Sequence, residues 1–451
     1  MENHQLSVKY GLPTAIAMVV GIVIGSGVFF KAEKILLATG GNLPLGILAW
    51  IIGGAIMVVC AYAFSIMATK HAFVSGVVDY AEAACGRKYG YMLGWFMATI
   101  YYPCITSVLA WVSARYLCVI IGFDIVGPQC MTISMFFLVA AFSMNALSPV
   151  LAGKFQVSTT VIKLIPLSLM AVVGTIVGLK NGMTIQNFTT VVTPVGTGNA
   201  LFTAVVATAF AYEGWIIATT INAELKDPKK NLPRALIIGT LLVAAVYICY
   251  YIGLAGGVSN EVMMAGGETG AKLAFQAVFS NIGASALFIF IVISCLGTLN
   301  GLMMGCTRGL YALAARGEGP KPEMFKQVDP VSNMPTNSSI AGLFFAGFWL
   351  MYFYGANLTA PWFGPFCFDT SELPIVTLYA AYIPIFWHMT KDRTQPFSKR
   401  ILAPLLAIGG CVFMVIAACF AHRMAVVYYL IIFLAISFVG AAYLKPKKRA
   451  D

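Results

Sequence analysis

The stretch Gly21-Ile22-Val23-Ile24-Gly25-Ser26-Gly27-Val28-Phe29-Phe30 lies in an apolar run that begins near Leu12 and is long enough to cross a lipid bilayer. Glycine and serine are poor helix formers, and glycine inside a helix costs about 1 kcal/mol relative to alanine. Backbone groups freed by a helix break in a membrane are tolerated against protein or a water-filled cavity. One interpretation is a helix interrupted at the bilayer midplane whose free backbone groups hold a ligand. In the alternative, Gly21 and Gly25 form a packing motif between continuous helices.

The composition is that of a protein that crosses the bilayer many times. The 451 residues are 60% hydrophobic and 10% charged, with a mean hydropathy of +0.86, whereas soluble domains carry about 25% charged residues. The first ten residues lack the features of a cleaved signal, so we expect the first apolar run to be retained. Twelve apolar runs of spanning length fall at residues 12–36, 44–68, 91–118, 131–149, 157–179, 200–222, 235–257, 283–307, 338–356, 372–390, 400–420 and 425–444. They predict an all-α polytopic membrane protein with twelve transmembrane helices and no soluble domain.

The net charge of +11 is explained by membrane topology rather than by nucleic-acid binding. Lysine and arginine collect in alternate loops, which predicts by the positive-inside rule that both termini are cytoplasmic and that the protein lies in the cell membrane. The opposite loops carry few basic residues apart from Lys31 and Lys34 near the first span: Arg115, Lys180, Lys272 and Arg423. The basic tail at residues 445–451 is expected to contact anionic lipid or to fix topology.

The polar residues show no arrangement that indicates an enzyme, a metal site or a cofactor site. The eleven cysteines are scattered without metal-ligand spacing, and they are interpreted as small core residues. The four histidines are dispersed towards the span ends. Gly25-Ser26-Gly27 is not a dinucleotide-binding fingerprint, because position 30 is phenylalanine and no strand precedes it. We therefore expect no metal, no cofactor and no enzymatic activity.

A second interruption in the sixth apolar run echoes the first. It reads Thr208-Ala209-Phe210-Ala211-Tyr212-Glu213-Gly214-Trp215 and carries a carboxylate in the middle of the span. Interrupted spans in corresponding positions of two halves indicate an inverted-repeat transporter with its binding site near the midplane. The hypothesis is therefore that the first and sixth spans together form the site.

Two charged residues, Lys163 and Glu213, fall well inside the predicted spans. A charged residue at a helix centre costs about 2.5–3.5 kcal/mol on insertion scales, so it normally faces the bundle interior and has a function. Lys163 precedes Pro166 and has the alternative of extending to the cytoplasmic interface. For Glu213 three roles stay open: pairing with a cation, lining a vestibule, or remaining neutral.

Several motifs taken together resemble one known family. They are Gly25-Ser26-Gly27-Val28-Phe29, Phe210-Ala211-Tyr212-Glu213-Gly214-Trp215, the segment from Glu224 to Arg234, Leu299-Asn300-Gly301, and Ala314-Ala315-Arg316-Gly317-Glu318-Gly319. The chain resembles the amino acid–polyamine–organocation (APC) superfamily, and within it the L-type amino acid transporter (LAT) family and its bacterial serine/threonine and alanine/serine/cysteine exchangers. The resemblance covers nearly the whole chain.

The resemblance implies a single transporter domain over residues 1–451 with the LeuT-type fold, a five-plus-five inverted repeat. The first repeat would cover residues 1–180 and the second residues 200–390. Two extra helices would follow at residues 400–444. Relatives in animals attach to a glycoprotein subunit through a cysteine in the loop after the third span. That loop is short here and its one nearby cysteine, Cys130, lies at a span start, so we expect no such heavy-chain partner.

The resemblance also implies roles for individual residues. The substrate carboxylate would meet the backbone N–H groups of Ser26 and Gly27, consistent with the positive end of a half-helix. The substrate ammonium would meet carbonyls at four positions, namely Val23, Phe210, Ala211 and Glu213. Phe210 matches the gating aromatic, and Lys163 matches a lysine that replaces the sodium ion of sodium-coupled relatives. Thr298 either faces the substrate side chain or packs between helices.

The expected function is sodium-independent exchange of small or medium neutral L-amino acids by alternating access. Two alternatives stay open at this point. One is proton-coupled uptake, and the other is transport of cationic amino acids or polyamines with Glu213 as the counter-charge, because Glu213 departs from the small residue or aspartate found in many relatives.

Overall fold

The computed structural model describes residues 11–70, 76–217, 225–330, 334–358 and 360–444. These residues form helices and connecting turns and contain no β-strand. The predicted all-α class of a polytopic membrane protein is therefore confirmed. The basic tail and the motif residue Glu224 lie outside the described residues.

Within the described residues, the first half of the chain contributes eleven α-helices. They are α1 (Leu12–Val23), α2 (Gly27–Ala38), α3 (Leu43–Lys70), α4 (Val77–Cys85), α5 (Arg87–Phe96), α6 (Tyr102–Ile121), α7 (Pro128–Leu147), α8 (Pro149–Leu169), α9 (Thr175–Lys180), α10 (Met183–Thr189) and α11 (Thr197–Ala211). Two five-residue π-helical segments, Met97–Tyr101 and Met170–Gly174, join α5 to α6 and α8 to α9.

The second half continues with eight helices. They are α12 (Pro228–Leu254), α13 (Asn260–Gly266), α14 (Glu268–Ala314), α15 (Pro322–Phe325), α16 (Thr336–Ala356), α17 (Leu373–Met389), α18 (Ala403–His422) and α19 (Met424–Ala442). The helix α14 is bent at Ser280, whose φ of 64° and ψ of 173° are not helical.

Ten of the described helical segments are long and apolar enough to cross a membrane, and the bent pair α1 and α2 forms an eleventh candidate. The predicted span at residues 372–390 corresponds to α17, which is apolar but has 17 residues, the lower limit for crossing a bilayer. The count of twelve and the five-plus-five repeat stay predictions.

Proline and glycine set many of the helix ends. Proline occupies the first turn of α1, α7, α8, α12 and α17. The N–H groups of a first turn have no acceptor within the helix, so proline, which lacks an N–H, loses no hydrogen bond there. The helix α6 ends at Gly122, whose φ of 80° is the left-handed conformation that terminates helices. Turn signals visible in the sequence therefore position the spans to within a few residues.

The two interrupted spans lie at the centre of the helix bundle. The helix α1 packs on α12, α2 packs on α11, and α14 packs on α6 and α8. At the periphery, α19 keeps large apolar side chains such as Leu434 and Phe438 exposed, at 61% and 77%. A wholly apolar helix with such an outer face is suited to lipid.

Candidate functional site

The first span is broken between α1 and α2, which meet at an angle of 48°. Ile24 has an extended conformation with φ −69° and ψ 107°, and its N–H donates the last helical bond of α1 to the Val20 carbonyl at 2.8 Å. The carbonyls of Gly21 and Val23 therefore lack helical donors, and the first N–H groups of α2 lack helical acceptors. The break predicted at Gly25-Ser26-Gly27 is present.

The α-helix of the sixth span is interrupted at the residues that echo the first break, and residues 218–222 of the predicted span lie outside the described residues. The helix α11 ends at Ala211, and the Tyr212 N–H donates to the Thr208 carbonyl at 3.0 Å. Gly214 has a φ of 107°, a conformation that residues with a side chain rarely adopt. The chain then enters one 3₁₀ turn, in which the Ile217 N–H donates to the Gly214 carbonyl at 3.0 Å.

The two breaks touch each other. A Cβ atom placed on Gly27 would lie 2.5 Å from Ala211 Cα and 3.1 Å from the Phe210 carbonyl oxygen. The rings of Phe30 and Phe210 meet edge to face with centroids 6.0 Å apart. The start of α2 thus lies directly against the end of α11, which brings the free N–H groups of one near the free carbonyls of the other.

A cavity of about 420 Å³ lies beside the two breaks. Six of the predicted site residues line it: Val23, Ser26, Gly27, Phe210, Glu213 and Thr298. Ala211 does not line the cavity, because it packs against Gly27. The remaining lining is largely apolar and includes Ile105, Leu109 and Leu302.

Lys163 contacts the first break but does not line the cavity. Its side chain is fully buried, and Nζ donates to the Gly21 carbonyl at 2.7 Å and to Thr298 Oγ1 at 3.2 Å. The alternative in which Lys163 extends to the membrane interface is therefore not adopted. A buried ammonium here satisfies a carbonyl that the helix break has freed.

The glycines of the first break also serve close packing. A Cβ on Gly21 would lie 2.4 Å from Thr160 Cγ2, and one on Gly25 would lie 2.6 Å from Thr298 Oγ1. The two interpretations of this stretch are therefore not exclusive, because the same glycines allow α8 and α14 to approach the point where the helix opens.

Glu213 projects from the second break with its carboxylate already hydrogen-bonded. The Tyr101 hydroxyl donates to Oε1. Both side chains are buried, Tyr101 at 0% and Glu213 at 9% exposure. Among the described residues that line the cavity, Glu213 carries the sole charged side chain.

Tyr247 of α12 is a site residue that the sequence did not reveal. Its hydroxyl donates to the Val23 carbonyl at 3.0 Å, so it links α12 to the first break. The ring stacks on Tyr212 with centroids 5.3 Å apart. A tyrosine in an apolar run gives no signal of this role, because the Val23 carbonyl lies more than 200 positions away.

A buried ionic cluster lies beside the rings of Phe30 and Phe210. Lys31 of α2 pairs with Glu372, its Nζ donates to Ser371 Oγ at 2.9 Å, and His422 Nε2 lies 2.9 Å from the other Glu372 oxygen. The Lys31 ammonium also lies 5.5 Å from the Phe210 ring centroid. The prediction that Lys163 and Glu213 are the charges inside the spans was incomplete, since Lys31 is fully buried.

Asp369 extends this cluster in the connection before α17. Burial alone would raise its pKa, but the ammonium groups of Lys31 and Lys34 and the Ser371 hydroxyl hold the pKa well below its usual range. The cluster therefore balances buried charges of both signs. In the described residues no group of three or more histidine, cysteine or acidic side chains forms a metal-binding arrangement.

Two broken helices that meet at a cavity inside an apolar bundle define the class of secondary transporters with discontinuous spans. A model of the amino acid permease family matches residues 10–442. The chain belongs to the amino acid permease family, whose members are transporters rather than enzymes.

Individual relatives agree with this assignment. The chain is 28% identical over 425 residues to the serine/threonine exchanger SteT of Bacillus subtilis, covering 91% of each chain. It is 24% identical to the b(0,+)-type amino acid transporter 1 of Homo sapiens over 92% of this chain and 83% of the relative. It is 26% identical to the large neutral amino acids transporter small subunit 2 of Homo sapiens over 70% of this chain and 59% of the relative.

Proposed function

We propose that the protein is a sodium-independent exchanger of small or medium neutral L-amino acids that works by alternating access. The observation that carries the proposal is the meeting of the two helix breaks at the cavity of about 420 Å³. Backbone donors and acceptors of opposite polarity are available there, as a zwitterionic ligand requires.

The start of α2 is the proposed site for the substrate carboxylate. The N–H groups of Ser26 and Gly27 lie at a helix N-terminus, where free N–H groups and the helix dipole favour an anion. The carbonyls of Val23, Phe210, Ala211 and Glu213 are the proposed acceptors for the substrate ammonium. Because these contacts use the two groups common to all amino acids, the largely apolar wall is left to select the side chain, and Thr298 supplies a hydroxyl for a small polar one.

Lys163 is the proposed reason that sodium is not required. Its ammonium places a fixed positive charge against the Gly21 carbonyl and Thr298, where a sodium ion would otherwise hold the first span to the fifth and eighth. Exchange is proposed because the relative that matches over 91% of both chains carries the name of a serine/threonine exchanger. Proton-coupled uptake is the alternative that the transport assay below separates.

The cavity continues along α1 towards Thr14, Ala17 and Met18, near the N-terminal end of the first span. Phe30, Phe210 and the ionic cluster close its other side. With both termini cytoplasmic and the protein in the cell membrane, as the basic loops indicate, this is an inward-facing state of the transport cycle. We expect the chain to work without a heavy-chain subunit, because residues 122–127 between α6 and α7 contain no cysteine and Cys130 is buried on α7.

Uptake into proteoliposomes without sodium tests this function. Vesicles preloaded with alanine or serine should take up labelled substrate, whereas empty vesicles should take up little. Strong accumulation in empty vesicles under a proton gradient would contradict exchange and support proton coupling.

A cationic amino acid or polyamine carrier is the second candidate, because Glu213 lines the cavity. Competition by arginine, putrescine, alanine and serine separates the two candidates. Inhibition mainly by alanine and serine supports the neutral exchanger, and inhibition mainly by arginine or putrescine supports the second candidate.

A further inference from the structure

The carboxylate in the cavity is held by a donor of the protein itself. Tyr101 donates to Glu213, so the carboxylate has a partner before any substrate arrives. A carboxylate in a mostly apolar cavity is costly without donors, so the loss of this hydrogen bond should change what the cavity binds.

Tyr101 is placed for this contact by an irregular stretch of helix. It is the last residue of the π-helical segment Met97–Tyr101 that joins α5 to α6, and such single-turn π segments insert an extra residue that redirects side chains, frequently at functional sites. The Tyr101 ring is fixed by edge-to-face contact with Tyr102 at 5.3 Å and a tilted contact with Phe96 at 6.2 Å. The hydroxyl is therefore aimed at the second break by packing.

We propose that Tyr101 determines substrate specificity by occupying the Glu213 carboxylate, so that the cavity accepts neutral side chains and disfavours cationic ones. This inference rests on the proposed function and identifies the residue that selects among its substrates. With the tyrosine hydroxyl bound, a cationic side chain gains little from Glu213, because it must share or displace an existing bond. Without the hydroxyl, a substrate cation supplies the missing partner of a buried carboxylate.

The substitution Tyr101→Phe removes one oxygen and tests the proposal directly. The ratio of the inhibition constant of arginine to that of alanine should fall about ten- to a hundredfold, the worth of one hydrogen bond to a charged group. Tyr102→Phe is the matched control, since Tyr102 is the next residue, is not hydrogen-bonded to Glu213 and does not line the cavity. This control should leave the ratio unchanged.

The double variant Tyr101→Phe/Glu213→Gln identifies the group responsible. In this double variant the stronger inhibition by arginine should disappear, because no carboxylate remains to bind the cation. A gain that persists in the double variant, or an unchanged ratio in Tyr101→Phe, would overturn the proposal.

Ligand-induced thermal stabilisation of the purified protein provides a second readout that does not depend on turnover. Arginine should stabilise Tyr101→Phe more than it stabilises the parent protein, while stabilisation by alanine is retained. Failure of the proposed function is distinguishable, because the parent protein would then neither transport alanine nor be stabilised by it. If the parent protein is stabilised by alanine but Tyr101→Phe shows no increased stabilisation by arginine, the role of Tyr101 is refuted and the proposed function is not.

Discussion

Gly27 shows how a single missing side chain shapes the site. Its Cα faces the backbone of Ala211 so closely that any Cβ would meet Ala211 Cα at 2.5 Å. Sequence reasoning proposed glycine here for the approach of a substrate carboxylate. The structure adds an independent requirement, namely the contact between the two broken spans.

Gly27→Ala is therefore expected to separate the two breaks and abolish uptake, with a loss of stability of about 1–3 kcal/mol from overpacking. Gly347→Ala in α16 is the matched control, because a Cβ there meets no atom within 4 Å. The control should be neutral or stabilising by up to about 1 kcal/mol. Uptake and thermal unfolding of both variants check this, and normal uptake by Gly27→Ala would place the site elsewhere.

Lys163 is the second residue whose role can be isolated. Lys163→Ala leaves the Gly21 carbonyl without its donor, a cost of about 1–3 kcal/mol for a buried polar group. We expect transport to be lost or severely slowed while the protein remains in the membrane. Lys154→Ala, an exposed position on the same helix, should transport normally. Unchanged kinetics in Lys163→Ala would remove the sodium-replacement role.

Among the structural elements, the positions of the helix breaks could be predicted from the sequence, but the side chains that hydrogen-bond to them could not. A cluster of glycine and serine in the first run and the pair Glu213-Gly214 in the sixth indicate weak helix, so both interruptions could be located from the sequence. Tyr247 and Tyr101 hold the breaks through contacts between distant helices. The apolar runs that contain these two tyrosines do not indicate which helix face is buried, because helices inside a membrane bundle are apolar on all sides.

Tyr247→Phe tests whether the first break is part of the binding element. Loss of the hydroxyl frees the Val23 carbonyl, so substrate affinity should fall several-fold and stability by about 0.5–1.5 kcal/mol. Tyr251→Phe, one turn further along α12, is the control, because the Tyr251 hydroxyl has no hydrogen-bond partner in the described part of the chain. Equal effects of the two substitutions on affinity would contradict a specific role for Tyr247.

At the scale of the whole molecule, the buried ionic cluster brings together residues from three separate spans. Lys31 comes from α2, Glu372 precedes α17 and His422 ends α18. Lys31 follows the apolar stretch directly and gives no sign in the sequence that it is buried. Its partners lie more than 300 positions away, which is why sequence reasoning assigned it to the region near the loops.

Glu372→Gln should be strongly destabilising, by about 3–5 kcal/mol, because it leaves the Lys31 ammonium buried without its partner. The double variant Lys31→Met/Glu372→Gln should recover much of the loss. Lys34→Met should cost less than about 1 kcal/mol, since Lys34 is partly exposed and lies 3.9 Å from Asp369. Thermal unfolding in detergent measures all three, and equal losses for Glu372→Gln and Lys34→Met would contradict the larger cost expected for breaking the buried pair.

The central claim is that backbone groups at the two breaks bind the carboxylate and ammonium groups of an amino acid. Competition against sodium-free exchange by L-alanine, L-alaninamide and N-acetyl-L-alanine tests it most directly. The account predicts that alanine inhibits uptake while both blocked analogues are at least about tenfold weaker, each having lost a charge-assisted hydrogen bond. Inhibition by either analogue as strong as that by alanine would contradict it.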